Sequence, residues 1–254
     1  MSVKSSQSGT RMLAVLEAIA AQQPVGASAL ARHMGEDKSA VQRSLVTLSK
    51  AGWIVPTPDR PVRWELGARL FTLAHLPSSS EDLRRRARKS LEAIRDEIGE
   101  TTFLAVPDAR SFVIIDVAES PHLLRSVPRI GEVISPSHTA TSKIMFAYLD
   151  EARRHSLLGR EPTGEEREEF SASADRGYGL SVGEFMAGST VIAAPIFDTR
   201  GQPNAAIAIS GPSDRLPADR HDAIGHALIL EASRLSRGKP SRQHYDASRL
   251  EPAG

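Results

Sequence analysis

The sequence predicts an α+β protein built in two parts. Up to about residue 75 the apolar residues recur at helical spacing and close on one short hairpin. From Thr101 onward the spacing turns strand-like, and between the two regimes lies the polar break Pro77-Ser78-Ser79-Ser80. A chain of 254 residues with 40% hydrophobic content is long enough for two packed cores.

Residues 1–8 are polar and predict a disordered tail, and residues 10–22 predict a helix with Met12, Leu13, Leu16, Ile19 and Ala20 as its apolar stripe. Residues 27–52 then read as helix, sharp corner, helix. Leu30 and Ala31 face inward, Gly35 can take the left-handed corner conformation, and Asp37 can cap the next helix. That helix buries Val41, Leu45 and Leu48 as one stripe and stops at Gly52. Its other face gathers Lys38, Ser39, Gln42, Arg43 and Val46, groups able to read base edges in a major groove.

Residues 53–56 and 62–66 predict two short strands joined by Thr57-Pro58-Asp59-Arg60-Pro61. A basic-tipped hairpin directly after such a helix makes a winged helix-turn-helix, with Arg60 and Arg63 placed to meet the sugar-phosphate backbone. Charge agrees. Up to His75 nine basic side chains face five acidic ones, a net +4, and with +1 overall the remainder carries −3.

Residues 67–74 predict a short apolar helix leading to the break. Ser78 and Glu81 then suggest a capping box for a long helix with Leu83, Ala87, Leu91, Ile94 and Ile98 as its stripe. Arg84, Arg85, Arg86, Arg88 and Lys89 on that helix invite a nucleic-acid reading, but on so amphipathic a helix a solvated face is the commoner arrangement. Strands are predicted at 102–106, 112–117 and 123–127, with Pro107-Asp108-Ala109-Arg110 as the first turn. Helices follow at 143–149, 150–158 and 165–174, strands at 190–196 and 205–210, and a closing helix at 217–236. Residues from Gly238 predict a second disordered tail.

Taken together, RMLAVLEAIA, LARHMGEDKSAVQRSLVTLSKAGWI, RWELGARLFTLA, GETTFLAV, SPSHTATSKIMFA, DRGYGLSVGEF and GSTVIAAPIFDTRGQPNAAIAISGP resemble, in order and spacing, the IclR family of bacterial transcription regulators. The resemblance implies a winged helix-turn-helix domain (9–67), a linker helix (68–80) and a GAF-like α/β effector-binding domain (81–237), flanked by tails 1–8 and 238–254. It further implies a homodimer or tetramer on a palindromic double-stranded DNA operator, controlled by a small-molecule effector such as an organic acid. By the same matching, Ala140, Thr141, Ser142, Ser181, Val191, Ala208 and Ser210 fall where relatives line the effector site. Ser142 replaces a glycine of the family loop, Ser181 an acidic residue, and Ala208 a frequent serine, so the ligand need not be the small keto acids that some relatives bind.

Absence of cysteine excludes disulfides and thiolate chemistry. No G-x-S-x-G elbow, Walker loop, dinucleotide fingerprint or H-E-x-x-H is expected, and His221 and His226 lie off the i, i+4 spacing that would share one metal. His138 has no recognisable orienting acid. No enzyme, cofactor or metal site is expected. No apolar run approaches the ~18 residues of a membrane span, so a cytoplasmic protein is the default. The competing class is a sensor or protein-interaction module with little DNA affinity, and salt-dependent DNA binding separates the two.

Overall fold

The computed structural model describes residues 6–74, 79–126 and 128–240, which fall into two compact units divided between Pro77 and Ser78. In the first unit α1 (Gln7–Gln22), α2 (Ala27–Met34) and α3 (Lys38–Lys50) precede a hairpin of β1 (Ile54–Pro56) and β2 (Trp64–Leu66), and α4 (Ala68–Ala74) follows. The hairpin pairs Ile54 with Leu66 and Pro56 with Trp64, and Trp64 also bridges to Val25 ahead of α2. Gly35 sits at φ +64° and caps α2, which supplies the corner at the lowest steric cost. Val15, Ile19, Leu30, Val41, Leu45 and Ile54 form the core.

Two details of this unit differ from the sequence reading. α1 begins at Gln7 because Ser6 caps it, so Gln7 and Ser8 belong to the helix rather than to a tail. Its buried face is Val15, Ala18 and Ile19, whereas Leu13 is 63% exposed and Ala20 is also outside. At 3.6 residues per turn the buried arc is rotated by about 100° from the centre of the predicted stripe, with Met12 and Leu16 at its margin.

The second unit is a six-stranded antiparallel sheet in the order β5-β4-β3-β8-β7-β6, with helices on both faces. Its strands are β3 (Thr101–Asp108), β4 (Ser111–Ala118), β5 (Val133–Ile134), β6 (Gly179–Val182), β7 (Ser189–Phe197) and β8 (Pro203–Pro212). Its helices are α5 (Ser79–Ile98), α6 (Ala140–Tyr148), α7 (Glu151–Leu158), α8 (Gly164–Arg176) and α9 (His221–Leu235), the last entered through a 3-10 turn at Ala218–Arg220. Strand alternation sorts the two cores. Leu104, Ile207 and Ile209 pack with Leu91 and Ile94 of α5 and Leu228 of α9, while Phe103, Ala206 and Ala208 turn to Ile144 and Phe146 of α6. Small side chains on β8 leave room on that face for the ring series Phe112, Phe146 and Phe170, whose neighbouring centroids lie 5.7 and 5.4 Å apart.

Four of the five basic side chains on α5 are paired within the unit and Lys89 stays exposed: Arg84 pairs with Glu81, Arg85 and Arg86 with Asp82, and Arg88 with Glu92 and buried Asp116. The expected cap Ser78 lies outside the described residues. Helix is assigned over Ala68–Ala74 and again from Ser79, and residues 75–78 of the expected linker helix lie outside the described residues.

Four further expectations are corrected here. Residues 123–126 form no strand, and Leu123 is fully exposed, because Val133–Ile134 occupies the outer edge of β4. β3 continues through Pro107 and Asp108, leaving Ala109 and Arg110 alone in the turn. β6 was not anticipated, and it pairs with β7 through Ser181 and Val191. Finally, α6 starts three residues early. Thr139 Oγ1 accepts from Ser142 N and Ser142 Oγ accepts from Thr139 N, a reciprocal cap that turns an apparent polar loop into a first helical turn. Among the described residues no helix is long and apolar enough to cross a membrane.

Candidate functional site

On the first unit the outward face of α3 presents Lys38, Ser39, Gln42 and Arg43 together, all exposed, with Val46 beside them. The order begins at Asp37. Its carboxylate accepts from Ser39 N (2.8 Å), Ala40 N (3.1 Å) and Ser39 Oγ (2.5 Å), and the Ser39 hydroxyl, ahead of the two amides, holds it below the usual carboxylate range. Arg43 Nη1 in turn donates to Ser39 Oγ (3.2 Å), so the guanidinium lies along the N-terminal half of the helix. Arg60 and Arg63 are exposed on the hairpin, whose base closes through Thr57 N to Arg63 O (2.9 Å) and Arg63 N to Thr57 Oγ1 (3.3 Å). Arg69 of α4 stacks 5.5 Å from the Trp53 ring and donates to Ala51 O, which ties the end of α3 to the start of α4.

The second unit holds a cavity of about 550 Å³, a volume suited to a small organic ligand. Five of the sequence-derived residues line it: Ala140, Thr141, Ser181, Val191 and Ser210. Phe103, Ile114, Ile134, Phe185 and Met186 make most of the remaining wall apolar. The floor is pinned by hydroxyls, with Ser210 Oγ 3.0 Å from Ser126 Oγ and Thr101 Oγ1 donating to Ser126 O at 2.8 Å. Arg125 at the rim is already paired with Glu119. Arg215 is clamped on buried Glu100 and donates to Leu124 O (3.0 Å), which holds the adjoining loop. At the head of α6, Thr139 serves Ser142 N and Lys143 N, which leaves the amides of Ala140 and Thr141 without an acceptor among the described residues. Anionic groups favour such an end.

Ser142 and Ala208 do not line this cavity. The Ser142 hydroxyl is spent on the helix cap and its residue faces a second cavity, while Ala208 lies deeper on the same strand face as Ser210, packed dry against α6. A larger cavity of about 610 Å³ lies near the β3–β4 and β7–β8 turns. None of the sequence-derived residues reaches it, and its Arg86 and Arg237 are held by Leu235 O and Asp82.

Gly179-Leu180-Ser181-Val182-Gly183 spells G-x-S-x-G, although no such elbow was expected from the sequence. Its setting is not that of a nucleophile. The serine stands in edge strand β6 rather than on a strand-to-helix elbow, and its hydroxyl donates to the carbonyl of His138 (3.4 Å), not to an imidazole. Among the described residues no group of acids and histidines is arranged to hold a metal ion.

Comparison with known proteins agrees with both halves. Residues 9–58 match the IclR helix-turn-helix domain, and residues 77–237 match the family described as bacterial transcriptional regulator IclR C-terminal. The transcriptional repressor IclR of Escherichia coli is 30% identical over 242 residues, covering 90% of this chain and 88% of that protein. The glycerol operon regulatory protein of Streptomyces coelicolor is 30% identical over 223 residues, covering 84% and 87%. Among solved structures, the Thermotoga maritima IclR superposes with a TM-score of 0.66 at 24% identity over 90% of this chain and 96% of that one. An IclR homolog from Microbacterium hydrocarbonoxydans, complexed with 4-hydroxybenzoate, gives 0.75 at 19% over 91% and 99%. A winged helix-turn-helix and a walled ligand-sized cavity thus coincide with a family match across both units: the chain belongs to the IclR family of bacterial transcriptional regulators, and it is a regulator rather than an enzyme.

Proposed function

We propose that this chain binds a palindromic operator as a homodimer or higher assembly, and that an organic acid in the second unit's cavity changes its affinity for that DNA. In this reading residues 9–67 bind DNA, 68–80 link, and 81–237 receive the effector. Gln42 and Arg43 read base edges, Ser39 sets the Arg43 guanidinium, and Lys38, Arg60 and Arg63 meet phosphates. Exposed Leu13 and Phe71 supply apolar surface for a second copy, since a single winged module buries only roughly 600 to 1,000 Å² on DNA.

One observation carries the effector half of the proposal: a largely apolar cavity whose unengaged polar groups gather at the head of α6. That arrangement suits one carboxylate on an apolar body better than a small, highly polar keto acid. Ser181, in place of an acid, removes a polar partner that the latter would use. The 4-hydroxybenzoate found in the Microbacterium relative is of this class.

The test starts from a random duplex pool. The full-length chain is used to select DNA, and the selected duplex is titrated by fluorescence anisotropy with and without a panel of aromatic and aliphatic monocarboxylates. Enrichment of an inverted repeat, and an affinity that shifts with one class of acid, is the expected outcome. Failure to enrich any sequence would instead favour a sensor or protein-interaction module with little DNA affinity.

A further inference from the structure

The first turn of α6 is a partition between two cavities. Thr139, Ala140 and Thr141 line the 550 Å³ cavity, whereas the next two residues, Ser142 and Lys143, line another of about 440 Å³ together with Glu169 and Glu184. The loop from Gly183 to Gly188, between β6 and β7, straddles the same partition. Its Glu184 faces the second cavity, while its Phe185 and Met186 wall the first.

This loop is built to move as a unit. Gly183 and Gly188 stand at φ +70° and +75°, and a Cβ added at either would meet nothing within 4 Å, so both ends have conformational freedom and space. The loop closes on itself through Gly183 N to Ser189 O (2.8 Å) and Ser189 N to Met186 O (3.1 Å). Phe185 and Met186 are 61% and 62% exposed although they form a cavity wall. Two further hydrogen bonds reach from this loop to other parts of the unit: Ser213 N donates to Gly188 O at 2.9 Å at the hinge, and Lys143 Nζ donates to Glu184 Oε1 at 2.8 Å in the body of the loop.

Lys143 is a fixed post. It is 6% exposed, rides on a helix buried along its whole length, and also engages Leu180 O and Glu169 Oε2, each at 3.1 Å. If Glu184 leaves, the ammonium keeps a carboxylate and a carbonyl, so opening does not strand a buried unpaired charge. Glu184 is partly exposed already and regains water as it swings out. The contact therefore holds the loop without making release prohibitive.

We propose that the Lys143–Glu184 ion pair is the latch of a lid, the loop Gly183–Gly188, over the effector cavity. A ligand that packs against Phe185 and Met186 favours the latched state, because it contacts the lid only when the lid is closed. This inference rests on the reading of the cavity as a ligand site.

The test uses the full-length chain and two readouts. Hydrogen exchange followed by mass spectrometry reports lid opening without any ligand. Stopped-flow release of 1-anilinonaphthalene-8-sulfonate, an apolar ring system with one anionic head, reports escape from the cavity. Glu184→Gln should speed exchange of amides 183–189 and probe release by about tenfold, the loss expected for one charge-assisted hydrogen bond. Glu169→Gln removes the other carboxylate on the same lysine without touching the lid, and should leave both rates near wild type. Unchanged lid exchange in Glu184→Gln, or equal acceleration in Glu169→Gln, overturns the latch. Val191→Phe fills the cavity floor and should abolish probe binding. Full probe affinity in that variant overturns the cavity reading instead, and the exchange measurement still decides the latch.

Discussion

Helices α3 and α6 both carry residues assigned to function, and they are built on opposite plans. α3 buries Ala40, Val41, Ser44, Leu45 and Leu48 and turns the rest of its circumference outward. α6 buries every one of its residues, Ala140 through Tyr148. A helix that meets its target outside the protein must keep core and contact residues on separate arcs, so one periodic pattern reveals both. A helix that walls an internal cavity has no outer arc, and ligand-facing and core-facing positions carry the same kind of side chain.

That difference sets what was legible. The left-handed corner at Gly35, the Asp37 cap and the buried stripe of α3 all follow from local rules, and the exposed set Lys38, Ser39, Gln42 and Arg43 follows by subtraction. In α6 the run Ser137-His138-Thr139-Ala140-Thr141-Ser142 reads as a polar loop because its cap partner is Ser142 rather than the usual glutamate or glutamine. The helix therefore starts earlier than the pattern suggests, and Ser142, matched to the effector site, lines the second cavity. Ala208 fails for another reason. It shares a strand face with Ser210, but depth along that face, which separates dry core from cavity, is tertiary information. The Leu123–Leu124 pair looked like a strand because apolar residues in sequence do not disclose that a neighbouring edge is already taken.

Substitutions can break or sharpen the contrast. The largest effect is expected in α6: Phe146→Ala removes a fully buried ring packed between Phe112 and Phe170 and should destabilise the second unit by roughly 3 to 5 kcal/mol. Gln42→Ala on α3 should change stability by no more than about 0.5 kcal/mol. Calorimetric unfolding of both variants checks this, and comparable losses would erase the distinction between the helices.

Next comes DNA affinity. Arg43→Ala should cost roughly 1 to 3 kcal/mol on the selected duplex and relax the preference at one base position. Equal losses on selected and random DNA would move Arg43 from base reading to the backbone.

Alkaline titration offers a probe confined to one unit, since every tyrosine lies beyond residue 78. Burial, reinforced by the hydrogen bond to Asp222, pushes the Tyr178 hydroxyl up to about 12, and burial also raises Tyr148. A folded-state value above the unfolded one contributes stability that is complete below about pH 10 and fades as pH rises toward 12. Ultraviolet titration should show native tyrosines ionising later than in denaturant, with the second unit losing stability over that window. Coincident native and denatured curves would contradict the burial of Tyr178.

The smallest effect belongs to the wing. Arg60→Ala should weaken selected and random DNA alike and lower the slope of log affinity against log salt by about one. An unchanged slope would remove Arg60 from the interface while leaving the α3 contacts in place.

The central claim, that occupancy of the α6 cavity is felt at the α3 face, is tested most directly by operator titrations of wild type and Val191→Phe with and without the acid that binds best. Wild-type affinity should shift by at least about fivefold on adding the acid, within the usual range of coupling between sites. Val191→Phe, with its cavity filled, should bind operator but no longer respond. Wild-type affinity that stays fixed while the acid demonstrably occupies the cavity would contradict the claim, as would an undiminished response in Val191→Phe.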